Sequence, residues 1–189
     1  MAIVLIPLAE GAEELETVTI IDLLRRASIE VVVAGLKPGP VRCSRGTVIA
    51  PDMTLDDALT RDYDMVVLPG GQPGATHLEA DPRVIALVKR MANAQRYTAA
   101  ICAAPRVLAA AGVLDGRRAT GFPGTLDPVR FPHVRIEEQP VVTDGRIVTS
   151  RGPGTAIDFA LSLIDLLAGR EQRERVQAGL QRPAAHHLN

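Results

Sequence analysis

Along the chain, short aliphatic runs alternate with longer stretches whose apolar positions recur every three or four residues. Residues 2–8 (AIVLIPL) read as a strand buried on both faces, and 13–27 as an amphipathic helix. A second strand is expected at 29–36, then short strands around a turn at Gly46 within 41–51. Residues 63–71 (YDMVVLPGG) form a strand running into a glycine loop, and 81–96 a helix with Pro82 in its first turn. A strand over 97–104 leads into a helix over 105–114, and 118–123 gives a brief strand and turn. Residues 134–150 contain a hairpin bend at Asp144-Gly145. The last strong helix is expected over 154–171, with Thr155 and Asp158 spaced as a capping-box variant and Gly169 at its end. Residues from about 180 to 189 read as a frayed tail.

Alternation of strands and helices predicts an α/β fold, a mostly parallel sheet with helices on both faces. No linker, repeat or low-complexity stretch divides the chain, so residues 1–189 read as one domain. Ligands in such folds gather beyond the carboxyl ends of the strands. The loops there carry Glu13, Glu14 and Glu16, Gly70 and Gly71, Cys102, and Ser150 to Thr155.

Composition narrows the classes. The 189 residues carry a net charge of −1, which leaves no electrostatic footprint for nucleic acid or an anionic membrane. No apolar run approaches the roughly 18 residues of a membrane helix, and the N-terminus lacks the basic start of a signal peptide. A cytoplasmic protein is expected. Cys43 and Cys102 are too few for a disulfide framework and match no zinc spacing.

Cys102 stands where a strand turns into a helix, among Ala99, Ala100, Ala103 and Ala104, with Pro105 opening the helix. It is either a buried core thiol or a nucleophile on an elbow, its thiolate favoured by the helix end behind it. Glu16 shares a helical stripe with Ile20, Leu23, Leu24 and Ala27. A carboxyl buried there would keep its proton; the alternative is a first-turn acid serving the helix dipole, as Glu13 and Glu14 do. Gly70 and Gly71 either expose backbone N–H groups to an oxyanion or simply make a turn. Residues 149–155 are an anion-binding or a packing turn. His77, His133, His186 and His187 lie away from these pieces, and neither G-x-G-x-x-G, a phosphate loop nor G-x-S-x-G occurs.

Taken in order, GAEELETV (11–18), CSRG (43–46), VVLPGG (66–71), AAICAAP (99–105), TGFP (120–123) and SRGPGTAIDFAL (150–161) resemble the ThiJ/PfpI superfamily, nearest to its YajL-like bacterial branch, relatives of the human Parkinson-associated oxidative-stress protein. The resemblance implies a flavodoxin-like three-layer sandwich and a homodimer; no cofactor or metal is expected. It makes Cys102 the oxidisable nucleophile and Glu16 the protonated partner of its sulfur. Gly71 and Ala103 would donate N–H groups to an oxyanion or cysteine oxide. Arg45 and Arg26 would lie near the subunit interface and the pocket, where family members hold anions. Phe122 replaces the histidine of several superfamily members, as it does in YajL-like relatives. A Cys-His pair is therefore absent there, and histidine-dependent peptidase activity is argued against.

The resemblance further implies oxidative- and carbonyl-stress chemistry on methylglyoxal, glyoxal or early glycation adducts of proteins or nucleotides. The alternative it leaves open is a redox sensor or stress chaperone working through oxidation of Cys102 to sulfinate. Leu15 and Val18 form a second apolar edge on the first helix, open to an interface or to core packing.

Overall fold

The computed structural model describes residues 1–182; the expected tail beyond them, with His186 and His187, lies outside the described residues. In order, the elements are β1 (Ile3–Leu8), α1 (Glu14–Arg26), β2 (Glu30–Gly35), β3 (Val41–Arg42), β4 (Val48–Ile49), β5 (Met53–Thr54), α2 (Leu55–Ala58), β6 (Met65–Leu68) and α3 (Gly74–Ala80). There follow α4 (Pro82–Asn93), β7 (Tyr97–Ile101), α5 (Pro105–Ala110), β8 (Arg118–Ala119), β9 (Arg135–Ile136), β10 (Val141–Asp144), β11 (Ile147–Ser150), α6 (Ala156–Ala168) and α7 (Arg170–Gly179).

One seven-stranded sheet runs β10-β11-β7-β6-β1-β2-β5, parallel throughout except for the β10–β11 hairpin. Successive side chains on a strand face opposite ways, and that alternation builds two cores. Val4, Ile6, Leu8, Val31, Val33, Val67, Ala99 and Ile101 pack under α1 and α6 with Ile20, Leu24 and Phe159. Leu5, Val32, Ala34, Val66, Leu68 and Ala100 pack on the other face with residues of α2, α3, α4 and α5. Strands without a polar face are therefore what a three-layer α/β sandwich requires. No helix among the described residues is long and apolar enough to cross a membrane.

Three elements depart from the sequence reading. Residues 74–80 are a helix, α3, although Pro73 and Gly74 mark a loop by composition. The chain continues past Gly169 into α7, whose ten residues bury only Val176 and so give almost no periodic signal. The expected capping box at α6 is absent. The Thr155 hydroxyl instead bonds Ser150 Oγ at 2.7 Å and accepts from the Gly152 N–H, while Asp158 pairs with Arg182.

The order of the sheet reverses between β1 and β6: β2 and β5 lie to one side, β6, β7 and β11 to the other. The loops leaving β1 and β6 diverge there, which opens the crevice where doubly wound sheets bind ligands.

Candidate active site

The crevice brings together three loops. Glu13 caps α1, its side chain accepting the Glu16 N–H at 2.7 Å, and its own N–H donates to Gly70 O at 3.0 Å. This fixes the first turn of α1 against the loop after β6 and swings Glu16 inward, where it is fully buried. The Gly70 N–H donates to Glu16 Oε2 at 2.8 Å. The other carboxyl oxygen, Oε1, is buried without a well-formed hydrogen bond.

Cys102 follows β7 with φ of 63°, in the left-handed region that non-glycine residues seldom occupy. Ser28, Gln95 and Gln181 share that region, but each follows the end of a helix, where such a residue commonly terminates the turn. At a strand-to-helix turn the same conformation holds of order 1–3 kcal/mol of strain, and over-determined surroundings must maintain it. Here the Cys102 N–H donates to Ser150 O at 2.9 Å and its carbonyl accepts from the Phe122 N–H at 2.7 Å. Both backbone groups are thus held by neighbouring segments. The residue is 8% exposed, buried but not sealed.

Two glycines make this proximity sterically feasible. A Cβ on Gly70 would stand 2.6 Å from Cys102 Cβ and 2.8 Å from Glu16 Oε2. A Cβ on Gly71, whose φ is 92°, would stand 2.4 Å from the Glu13 nitrogen. Glycine at both positions lets the loop pass between the thiol and α1, with the Gly71 N–H directed at the sulfur alongside that of Ala103.

Burial drives the electrostatics. It raises the Glu16 carboxyl to about 7, against lowering contacts with Cys102 and the Gly70 N–H. Burial likewise raises the Cys102 thiol to about 12, reinforced by the charge of an ionised Glu16 and its hydrogen bond, while the Gly71 and Ala103 N–H groups pull it down. The sequence expectation of an acidic thiol is therefore corrected for the state with Glu16 ionised. A carboxylate against a buried sulfur outweighs two donors and a six-residue helix. The two ionisations belong to the pair: one proton leaves near 7 and the second near 12.

The remaining sequence candidates lie further out. Glu14 accepts from Ser44 Oγ and from the Arg45 and Thr47 N–H groups, which ties the turn between β3 and β4 to α1. Arg45 is exposed on that turn. Arg26 pairs with Asp22 at 2.7 Å in the last turn of α1. Ten residues of helix, about 15 Å, separate it from Glu16, so one chain does not bring it to the sulfur. Leu15 and Val18 are half exposed and do not serve the core. Sequence reasoning missed the Gly70 N–H as the donor to Glu16 and the Glu13 cap; the paired glycines and the acidic first turn were the available signals.

The sequence pattern of the DJ-1/PfpI family matches residues 2–166. The Parkinson disease protein 7 homolog of Danio rerio is 44% identical over 179 residues, spanning 93% of this chain and 95% of that protein. The glutathione-independent glyoxalase DJR-1.2 of Caenorhabditis elegans is 36% identical over 171 residues, 90% of each chain. The crystal structure of Drosophila melanogaster DJ-1beta superposes with a TM-score of 0.92 at 40% identity, covering 97% of this chain and 99% of that one. A match over most of the sequence, joined to the same backbone, places the chain in the DJ-1/PfpI family.

Proposed function

We propose that the chain is a cysteine-dependent, glutathione-independent enzyme of carbonyl stress. It acts on small α-oxoaldehydes such as methylglyoxal and glyoxal, and on the early adducts these form with proteins or nucleotides. The observation that carries the reading is the pairing of a strained, N–H-faced Cys102 with a buried carboxyl whose Oε1 lacks a partner. When the pair holds one proton, the charge belongs on the sulfur, which two N–H groups face. The proton belongs on Glu16, where one oxygen has no donor to stabilise a charge. The C. elegans relative, named a glutathione-independent glyoxalase, supports the same chemistry.

In this scheme the thiolate attacks the aldehyde carbon. A C–S bond forms, and the carbonyl π pair moves to oxygen, which takes the Glu16 proton. The Gly71 and Ala103 N–H groups stabilise the developing oxyanion. The carboxylate left on Glu16 then removes the proton of the former aldehyde carbon and returns it to the neighbouring carbon, while the hydroxyl proton of the first carbon passes to the oxygen of the second. The first carbon is thereby oxidised to a thioester and the second reduced to an alcohol. Water adds to the thioester and breaks the C–S bond, releasing the 2-hydroxy acid. One oxoaldehyde and one water give one hydroxy acid, with no outside redox partner and no cofactor.

We propose further that the chain works as a homodimer. Leu15 and Val18 of α1 and Val48 of β4 are exposed apolar side chains on linked elements, and a two-fold axis is the default for such a surface. Arg45 and Arg26 would then border the interface, and a second copy would be needed to bring Arg26 to a pocket.

Kinetics test the enzyme reading. Wild type is expected to convert methylglyoxal to lactate over many turnovers, with Cys102→Ser inert and Glu16→Gln severely slowed. Stoichiometric trapping without lactate would overturn it.

The same surroundings favour a second reading, a redox sensor or stress chaperone. Peroxide would oxidise Cys102 to sulfinate, whose oxygens meet protonated Glu16 and the two N–H groups. Protection of client proteins that depends on oxidation, alongside absent turnover, would decide for it.

A further inference from the structure

We propose that Glu79 is a positioning residue for the Cys102 site, its carboxylate clamping together the segments that carry the sulfur, aim N–H groups at it and grip its peptide. The inference rests on the α-oxoaldehyde reading and adds to it the part of the chain that keeps the donors in register.

Glu79 lies in the last turn of α3, and its side chain is only 13% exposed. Oε2 accepts from Arg106 Nε in the first turn of α5, and Oε1 accepts from Arg130 Nη2 in the loop after β8. Each of the three segments leads straight to the sulfur. At the start of α3 the Ala75 N–H donates to Gly71 O at 2.9 Å, so that helix holds the residue whose own N–H faces the sulfur. Arg106 closely follows Cys102 and Ala103, the second donor, with only Ala104 and Pro105 between. The loop of Arg130 includes Phe122, whose N–H donates to Cys102 O at 2.7 Å, and Thr125, whose hydroxyl donates to Phe122 O at 2.7 Å. The turn that carries Arg130 closes on Asp127, which accepts from the Val129 and Phe131 N–H groups.

These helices need such a clamp. α3 has seven residues and α5 six, too short to be stable without tertiary contacts. Leu78 of α3 and Val107 and Leu108 of α5 are buried in the same core, which supplies attraction without direction. A carboxylate shared by two guanidinium groups supplies the direction, because charge-assisted hydrogen bonds are short and geometrically specific. Burial pushes the Glu79 carboxyl up, but the hydrogen bonds and charges of Arg130 and Arg106 outweigh it and hold the group below its ordinary value. The clamp is therefore charged wherever the thiolate is. His77, the other titratable side chain near this end of α3, instead meets Glu10 O at 2.9 Å. Donors to a developing charge must sit within about 0.5 Å of their productive place. Slack between α3 and α5 reaches the sulfur as lost alignment of the Gly71 and Ala103 N–H groups.

The test reads the sulfur first. The pH midpoint of Cys102 alkylation is compared in wild type, Glu79→Gln, Glu79→Asp and Arg106→Gln. Glu79→Gln turns an NH2 group toward one arginine, and Arg106→Gln frees α5 from the clamp. Both are expected to raise the midpoint by about half a pH unit, because a misaligned N–H stabilises the thiolate less. Glu79→Asp, which keeps the charge, should recover part of the shift. With methylglyoxal, kcat is expected to fall about tenfold in the first two variants while KM stays within about twofold. A midpoint displaced by less than about 0.2 pH in both would overturn the proposal. So would a lowered kcat at an unchanged midpoint, since the clamp would then act on something other than the donors. If Glu79→Gln does not fold, Arg106→Gln and Arg130→Gln carry the test, because each leaves the carboxylate one arginine. If wild type turns over no dicarbonyl, the α-oxoaldehyde reading fails, and the clamp is judged by the midpoint alone, which needs no substrate.

Discussion

Glu16→Gln isolates the carboxyl on which the site depends. The side chain is the only fully buried carboxyl among the described residues, and glutamine retains an oxygen for the Gly70 N–H. In the native chain the Glu16–Cys102 pair gives up its first proton near 7, against 4.5 for an ordinary glutamate. Because the folded value is the higher one, the native state binds the proton more tightly than the unfolded chain. The resulting stability is full below pH 4.5 and is lost as pH rises through 7. At about 1.4 kcal/mol per pH unit, the loss amounts to roughly 3 kcal/mol. Urea unfolding at about pH 4.5 and about pH 8, on wild type and variant, measures it, because titrating groups remote from the Glu16–Cys102 pair cancel in the double difference. Wild type is expected to lose about 3 kcal/mol more than Glu16→Gln over that interval. Parallel pH profiles would refute the reasoning, since they would mean that the folded pair gives up its first proton as readily as an unfolded glutamate does.

Two further substitutions separate the site from the scaffold. Gly70→Ala places a Cβ 2.6 Å from Cys102 Cβ and 2.8 Å from Ile101 O. It is expected to cost about 1–3 kcal/mol of stability and to abolish dicarbonyl turnover; near-native stability and activity would contradict the close approach. Phe159→Ala empties the middle of the α6 face, where the ring is fully buried. It is expected to cost about 3–5 kcal/mol in urea unfolding while leaving the Cys102 titration in place at low denaturant.

The fold was legible because the strands are buried on both faces. Val4, Ile6 and Leu8 feed one core and Leu5 the other, and only a sandwiched parallel sheet gives such an unbroken aliphatic run. What escaped reading had no periodic apolar signal. At the start of α3, Pro73 and Gly74 look like punctuation, yet Gly74 is needed there because a Cβ would stand 2.6 Å from the Ala12 nitrogen and 2.8 Å from the Gly11 carbonyl carbon. In α7 the helix is polar on nearly every side. At the site, the elbow around Cys102 showed in its small neighbours and Pro105. The sign of the thiol's shift did not, because it depends on how near α1 brings Glu16 to the sulfur and on which of the two carries the proton. Tertiary geometry sets both. Helical spacing placed Glu16 on the buried stripe correctly, but Arg26 lies at the far end of the same helix, where it meets Asp22 instead.

The account turns on where the last shared proton sits. Alkylation of Cys102 as a function of pH reads this directly, with peptide mass spectrometry separating it from Cys43, which burial and Glu14 raise to about 11. Wild type is expected to reach half-maximal thiolate below the ordinary thiol value of about 8.5, because the first ionisation of the pair falls on the sulfur. Glu16→Leu should move that midpoint upward, because the proton-donating partner of the sulfur is lost. A wild-type midpoint near 12 that falls when Glu16 is replaced would contradict the account, since the carboxylate would then be holding the proton on the thiol.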